Sequence, residues 1–110
     1  MAISIDDGGL VIKDPLDARV YTFDWDILGN LAPTVQLASV GTFTITVLDG
    51  ANTTPLTKDN ESLVAGNRKT QLRLSAGTPG TKYKIENQIV TTETVPQTKN
   101  RLFYLKIEDQ

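Results

Sequence analysis

Apolar and polar residues alternate strictly along several segments of this chain, and this period of two limits its fold more than any other feature. In residues 21–27 every odd position is apolar and every even position is polar. The pattern returns in residues 42–47 and 103–107, and in residues 82–89 the apolar residues Tyr83, Ile85 and Ile89 share one face. Successive side chains of a β-strand point to opposite faces of a sheet, so alternation indicates strands with one buried face. The sequence therefore predicts an all-β fold.

Turn signals separate the alternating segments at fairly even spacing. Residues 49–50, 66–67 and 76–80 contain the glycine, asparagine, aspartate or proline that tight turns favour. Residues 34–38 and 71–74 alternate over a shorter length and predict two further strands. Six or seven short strands, with no convincing helical segment, predict a β-sandwich or a barrel.

Length and punctuation predict one domain preceded by an arm. A chain of 110 residues accommodates a single domain, which we expect over residues 16–110. Residues 1–15 are less regular, because residues 7–9 interrupt an apolar start and Pro15 favours extended backbone in the residue before it. We expect an extended N-terminal arm there. Residues 50–62 are polar and contain a proline, which predicts a loop with at most a short strand at its end.

The composition lacks the groups that most enzymes use. The chain has no cysteine and no histidine, the side chain that most often acts as a general acid or base near neutral pH. A serine nucleophile would depend on a lysine or a carboxylate, and no serine–lysine motif is present. Asp24 and Asp26 flank Trp25 without the spacing of a calcium loop, which indicates solvated charges. We predict no enzyme activity, no catalytic residue, no cofactor and no metal site.

Charge and hydropathy argue against two classes of partner. Eleven basic and thirteen acidic residues give a net charge of −2 without a basic stripe, so we expect no nucleic-acid binding. The longest aliphatic runs, such as residues 10–12, are far shorter than the ~20 residues that cross a bilayer, so we expect no membrane contact. The first residues contain neither the basic nor the apolar segment of a secretory signal, and we expect synthesis in the cytoplasm.

The region around Tyr83 favours one kind of β-sandwich. Residues 77–83 place this tyrosine directly after a glycine-rich corner, at the start of an alternating strand. The arrangement resembles the tyrosine corner of immunoglobulin-like sandwiches, in which the phenol bonds to backbone a few residues upstream. Ile85 stands where an antibody domain has its second cysteine, and the only tryptophan comes early in the chain. We therefore expect an immunoglobulin-like β-sandwich of about seven short antiparallel strands, but not an antibody-type domain.

Several segments along nearly the full length share a pattern with a known family: residues 13–15, 21–25, 28, 72–85, 87–92 and 101–107. In these segments the chain resembles small immunoglobulin-like virion proteins of tailed bacteriophages, which decorate the capsid or adapt fibres to the particle. Residues 32–66 depart from the pattern, and the resemblance does not choose between the two positions. It implies a virion structural protein, made in the host cytoplasm, that contacts capsid, tail or fibre subunits and forms a homo-oligomer.

The apolar side chains of the arm are the candidate partner-binding residues: Ile3, Ile5, Leu10, Val11 and Ile12. An extended segment readily adds to an exposed sheet edge, so we expect the arm to lie on a neighbouring subunit.

A carbohydrate- or ligand-binding module used in host adhesion is the alternative. Such a module needs exposed aromatics, and only Tyr104 alternates outward here. The other aromatic residues are in register with strand interiors: Tyr21, Phe23, Trp25, Phe43, Tyr83 and Phe103.

Overall fold

The computed structural model describes residues 3–14, 16–28, 31, 33–49, 56–64 and 66–108. These residues form eight strands and one single-turn helix. The strands are β1 (Ile3–Ser4), β2 (Leu10–Lys13), β3 (Arg19–Asp24), β4 (Thr42–Asp49), β5 (Leu56–Val64), β6 (Lys69–Ala76), β7 (Lys82–Val90) and β8 (Thr98–Ile107); the helix α1 is Trp25–Leu28.

The strands form two four-stranded sheets that pack as a sandwich. The first sheet has the order β1-β3-β6-β5 and the second has the order β2-β8-β7-β4. This order is that of the immunoglobulin constant-type sandwich, with the N-terminal strand divided between the two sheets. The predicted immunoglobulin-like β-sandwich is therefore confirmed. The later strands pair antiparallel, whereas β1 and β2 run parallel to β3 and β8 respectively.

The inward positions of the alternating strands form one core that joins the sheets. Phe23 lies at its centre, with its ring centroid 5.9 Å from that of Phe43 and 5.7 Å from that of Phe103. Trp25 stacks on Phe23 at 6.2 Å. The aromatic residues predicted to face the interior are all buried: Tyr21, Phe23, Trp25, Phe43, Tyr83 and Phe103.

The strand predicted through residue 27 ends earlier. The chain leaves β3 after Asp24 and turns through α1, so Trp25 remains buried whereas Ile27 is exposed. The Asp24 carboxylate accepts a hydrogen bond from the Asp26 backbone N–H at 3.1 Å. Short polar side chains that bond backbone two residues ahead stabilise a turn in competition with strand pairing. The prediction was wrong at residues 25–27 for this reason.

Two further assignments differ from the sequence prediction. Residues 34–38 contain no named strand, only an isolated bridge from Leu37 to Thr91. Leu56–Val64 is a strand where a loop was predicted, while residues 50–55 lie outside the described part of the chain. Within the described ranges β5 pairs with β6 alone, and it has a register shift between Asp59 and Ser62. An edge strand with a bulge can carry charged side chains on both faces, so it shows no clear alternation.

The N-terminal segment is extended, and it forms edge strands of its own domain. Ile3–Ser4 pairs with β3, and Leu10–Lys13 pairs with β8. Lys13 is completely buried, and its Nζ donates to the carbonyl oxygens of Asp14 at 2.8 Å and Ala76 at 2.9 Å. Burial lowers the pKa of Lys13. The bond to Ala76 ties the end of β2 to the end of β6 in the opposite sheet.

The Tyr21 hydroxyl provides a pH-dependent prediction. It is buried, and it has no hydrogen-bond partner within the described part of the chain. Burial raises the pKa of Tyr21 to about 12. An unfolded tyrosine releases its proton from about pH 10. Because the folded state retains this proton longer, the stability contributed by the neutral phenol is present below the unfolded pKa and is lost as pH rises towards the folded pKa.

At neutral pH we expect the free energy of unfolding of Tyr21→Phe to equal or exceed that of the wild type, because the deleted hydroxyl has no partner among the described residues. In alkaline buffer the variant should lose less stability than the wild type. Urea unfolding of both proteins across this pH range measures the difference, to which the groups that the proteins share contribute equally. Identical alkaline losses would show that Tyr21 does not titrate in this way.

Candidate interaction surfaces

The structure separates the five predicted partner-binding residues by burial. Ile5 is buried in the core, and Ile3 and Val11 are half-buried against it. Leu10 and Ile12 are 56% and 45% exposed. Because alternate residues of β2 share a face, Leu10 and Ile12 both lie on the outer surface of the second sheet.

Strand register brings six side chains together on this outer surface. Leu10 lies opposite Tyr104 of β8, and Ile12 lies opposite Lys106. On β7, Lys84 lies opposite Tyr104 and Lys82 lies opposite Lys106. We call this set the outer patch: Leu10, Ile12, Lys82, Lys84, Tyr104 and Lys106.

The outer patch is basic although the chain has a net charge of −2. The Nζ of Lys82 lies 5.0 Å from the centre of the Tyr104 ring, a cation–π distance. Lys84 pairs with Glu86 and Lys106 pairs with Glu108, each at 3.3 Å. Lys82 and Lys106 are direct cross-strand neighbours, and like charges in that position are destabilising. The patch thus combines exposed apolar side chains with three closely spaced lysines.

A second surface lies at one end of the sandwich, where three loops are hydrogen-bonded to one another. The Arg68 guanidinium donates to the Asp26 carboxylate and to the carbonyls of Pro33 and Val35. The hydrogen bond from Arg68 lowers the pKa of the Asp26 carboxyl group. The Gln36 carbonyl accepts from the Thr92 N–H at 2.9 Å, which joins the loop before β4 to the loop after β7.

The loop before β4 and the loop after β7 border an open cleft of about 530 Å³. Its lining is polar and aliphatic: Thr34, Val35, Thr92, Glu93, Thr94, Val95 and Gln97. The Glu93 carboxylate accepts a hydrogen bond from the Thr91 hydroxyl at 3.0 Å. Glu93 is the one acidic residue in this lining, whereas the hydrolysis of glycosides uses a pair of carboxyl groups.

A buried polar network supports this end of the sandwich from within. The Trp25 indole N–H donates to Thr70 Oγ1 at 3.1 Å and to Asn87 Oδ1 at 3.2 Å, and the Thr70 hydroxyl donates to Asn87 Oδ1 at 2.5 Å. Asn87 Nδ2 donates to the carbonyls of Val40 at 3.1 Å and Thr42 at 3.2 Å. The amide thus connects both sheets to the start of β4. Sequence reasoning missed Asn87, although its polar side chain at an inward position of β7 was a usable signal.

The acidic residues beside Trp25 are engaged in ion pairs. Asp26 pairs with Arg68, and Asp24 lies 3.7 Å from the Lys69 Nζ. Among the residues that the structure describes, no group of three acidic side chains is close enough to hold a metal ion. No helix in the described ranges has the length and apolar character needed to cross a membrane.

Comparison with known proteins agrees with the fold and the resemblance. Residues 13–106 match the model of a family described as podophage GP4 fiber-tail adaptor protein gp77. The matched region runs from the last residue of β2 almost to the end of β8. A search of curated proteins finds no match. The predicted virion role is confirmed: the chain belongs to this podophage family of fibre–tail adaptor proteins and is a structural component of the phage virion.

Proposed function

We propose that this protein joins fibre to tail through protein–protein contacts alone, without catalysis, and that it does so as a homo-oligomer. The observation that supports a contact role is the outer patch, which exposes Leu10 and Ile12 beside Tyr104 on the outer face of the second sheet. Exposed apolar groups rimmed by polar ones are typical of protein interaction sites.

The chemistry of the outer patch specifies the partner surface. Leu10 and Ile12 supply apolar area that a partner can exclude from water. Lys82, Lys84 and Lys106 supply a basic rim, so the complementary surface is apolar with carboxylates around it. The N-terminal segment therefore contributes through two outward side chains, while Ile5 holds it in the core.

Particles that lack this protein provide the test. We expect Leu10→Glu combined with Ile12→Glu to weaken binding to such particles at least ~100-fold, because two apolar contacts of about 1.5 kcal/mol or more are replaced by charges. Co-sedimentation measures binding, and the fibre protein retained per particle measures adaptor function.

Leu16→Glu combined with Ile27→Glu is the matched control, because both residues are exposed and lie outside the outer patch. It should bind like the wild type. Equal binding by the two double variants, with both folded by circular dichroism, would exclude the outer patch as the contact.

A further inference from the structure

We propose that a second copy of this chain pairs antiparallel with the free edge of β4, so that the two second sheets continue into each other across a two-fold axis. The inference specifies the surface for the self-association included in the proposed function, and it is independent of the outer patch. It rests on the edges of the two sheets and on the sequence of β4.

Among the residues that the structure describes, β4 has a neighbouring strand on one side only. It is the last strand of the second sheet, and among the described residues it pairs only with β7. Near its end, Val47 is 49% exposed and Leu48 is 46% exposed. Leu48 lies within the register shift between Val47 and Asp49, so two apolar side chains are exposed where the described part of this strand ends.

The remaining sheet edges are protected or short. β5 carries Lys58, Asp59 and Glu61 and contains a bulge, which are features that prevent edge-to-edge pairing. β1 has only two residues and β2 has four. Residues 42–48 of β4 contain no charged residue and no proline. β4 also shifts register, between Val47 and Asp49, but its residues 42–47 form a long edge segment without a charge, a proline or a bulge.

The sequence of β4 is complementary to itself when it pairs about Ile45. Thr44 then lies opposite Thr46 of the second copy, and Phe43 lies opposite Val47 of the second copy. Each pair projects from one face of the joined sheet, since both members have the same parity along the strand. Threonine pairs and aromatic–β-branched pairs stabilise antiparallel strands. A two-fold arrangement makes both pairs twice and leaves no further edge of this kind, which closes the assembly.

Two variants that differ at one position test the pairing. Thr44→Lys with Thr46→Lys places lysines opposite each other twice across the axis. We expect the dissociation constant of the dimer to rise roughly 10- to 30-fold, since each like-charge pair costs up to ~1 kcal/mol. Thr44→Lys with Thr46→Glu places opposite charges there instead, so its dimer should be at least as tight as that of the wild type. Sedimentation equilibrium of the full chain measures all three constants.

Thr57→Lys with Ser62→Lys makes the same charge change on β5 and should leave the dimer unchanged. A wild type that is monomeric at every concentration, or equal constants for the two β4 variants, would overturn the inference. Loss of the dimer in the double-lysine variant, with particle binding retained, would separate this interface from the outer patch. Conversely, Leu10→Glu with Ile12→Glu should leave the dimer intact. Particle binding through the outer patch and dimerisation through β4 are thus tested independently.

Discussion

Replacing Trp25 by alanine lowers the free energy of unfolding by about 3–5 kcal/mol, the cost usual for a large aromatic side chain deleted from a packed core. The indole is completely buried, stacks on Phe23, and donates its N–H to Thr70 and Asn87. The substitution therefore leaves a cavity and removes a donor from the polar network. Urea unfolding followed by circular dichroism measures the loss.

Ile27→Ala is the control for this prediction, because Ile27 belongs to the same helical turn but is exposed. Its effect should remain within about 0.5 kcal/mol. If Trp25→Ala costs no more than Ile27→Ala, the indole is not part of the core, and the packing described for this end of the sandwich is wrong.

Replacing Asn87 by leucine should lower the free energy of unfolding by about 2–4 kcal/mol. Removing this one side-chain amide leaves several buried polar groups without a hydrogen-bond partner. The carbonyls of Val40 and Thr42 each lose the hydrogen bond from Asn87 Nδ2, and the Thr70 hydroxyl loses its acceptor. Leucine has a similar volume, so the loss reports mainly on polar contacts. Gln88→Leu, at the exposed neighbouring position, should have little effect.

A double-mutant cycle with Thr70→Val tests whether these groups act as one network. Thr70 and Asn87 are hydrogen-bonded to each other and share the Trp25 donor. Residues in one network show interaction free energies of about 0.5 kcal/mol or more. We therefore expect the double variant to lose less than the sum of the single losses. Strict additivity would contradict a shared network.

Local alternation predicted those parts of the fold in which one strand face is buried and the other is solvated. β4, β7 and β8 are the clearest cases, and Phe43, Ile85 and Phe103 occupy the expected inward positions. The immunoglobulin-like sandwich was also predictable, because the glycine-rich corner before Tyr83 is a local signal. Both predictions depend on residues close together in the sequence.

The errors lie where a local pattern competes with distant contacts. β5 was predicted as a loop because residues 57–62 are all polar, and an edge strand can hold Lys58 and Glu61 while only Leu56 and Leu63 near its ends pack on the core. Residues 34–38 alternate like a strand, yet their backbone bonds to separate loops at Asn67 and Thr92. These pairings could not be predicted from local sequence patterns, because they join segments that are far apart along the chain.

The candidate surface was predicted in part. Leu10 and Ile12 were identified from their apolar character, and the structure exposes both. The three lysines beside them were not identified, because their proximity depends on the register of β7 against β8 and of β8 against β2. The choice between capsid and tail came from the family match and from no local feature of the sequence.

Acylation of lysines in intact virions tests the outer patch most directly. The rates at Lys82, Lys84 and Lys106 are compared with those of the isolated protein by mass spectrometry, and Lys58 on the first sheet serves as the internal reference. We predict that the three patch lysines react several-fold more slowly in the virion while Lys58 reacts at the same rate. Equal rates for the patch lysines in both states would show that this face remains free in the particle, and the adaptor would have to bind its partner elsewhere.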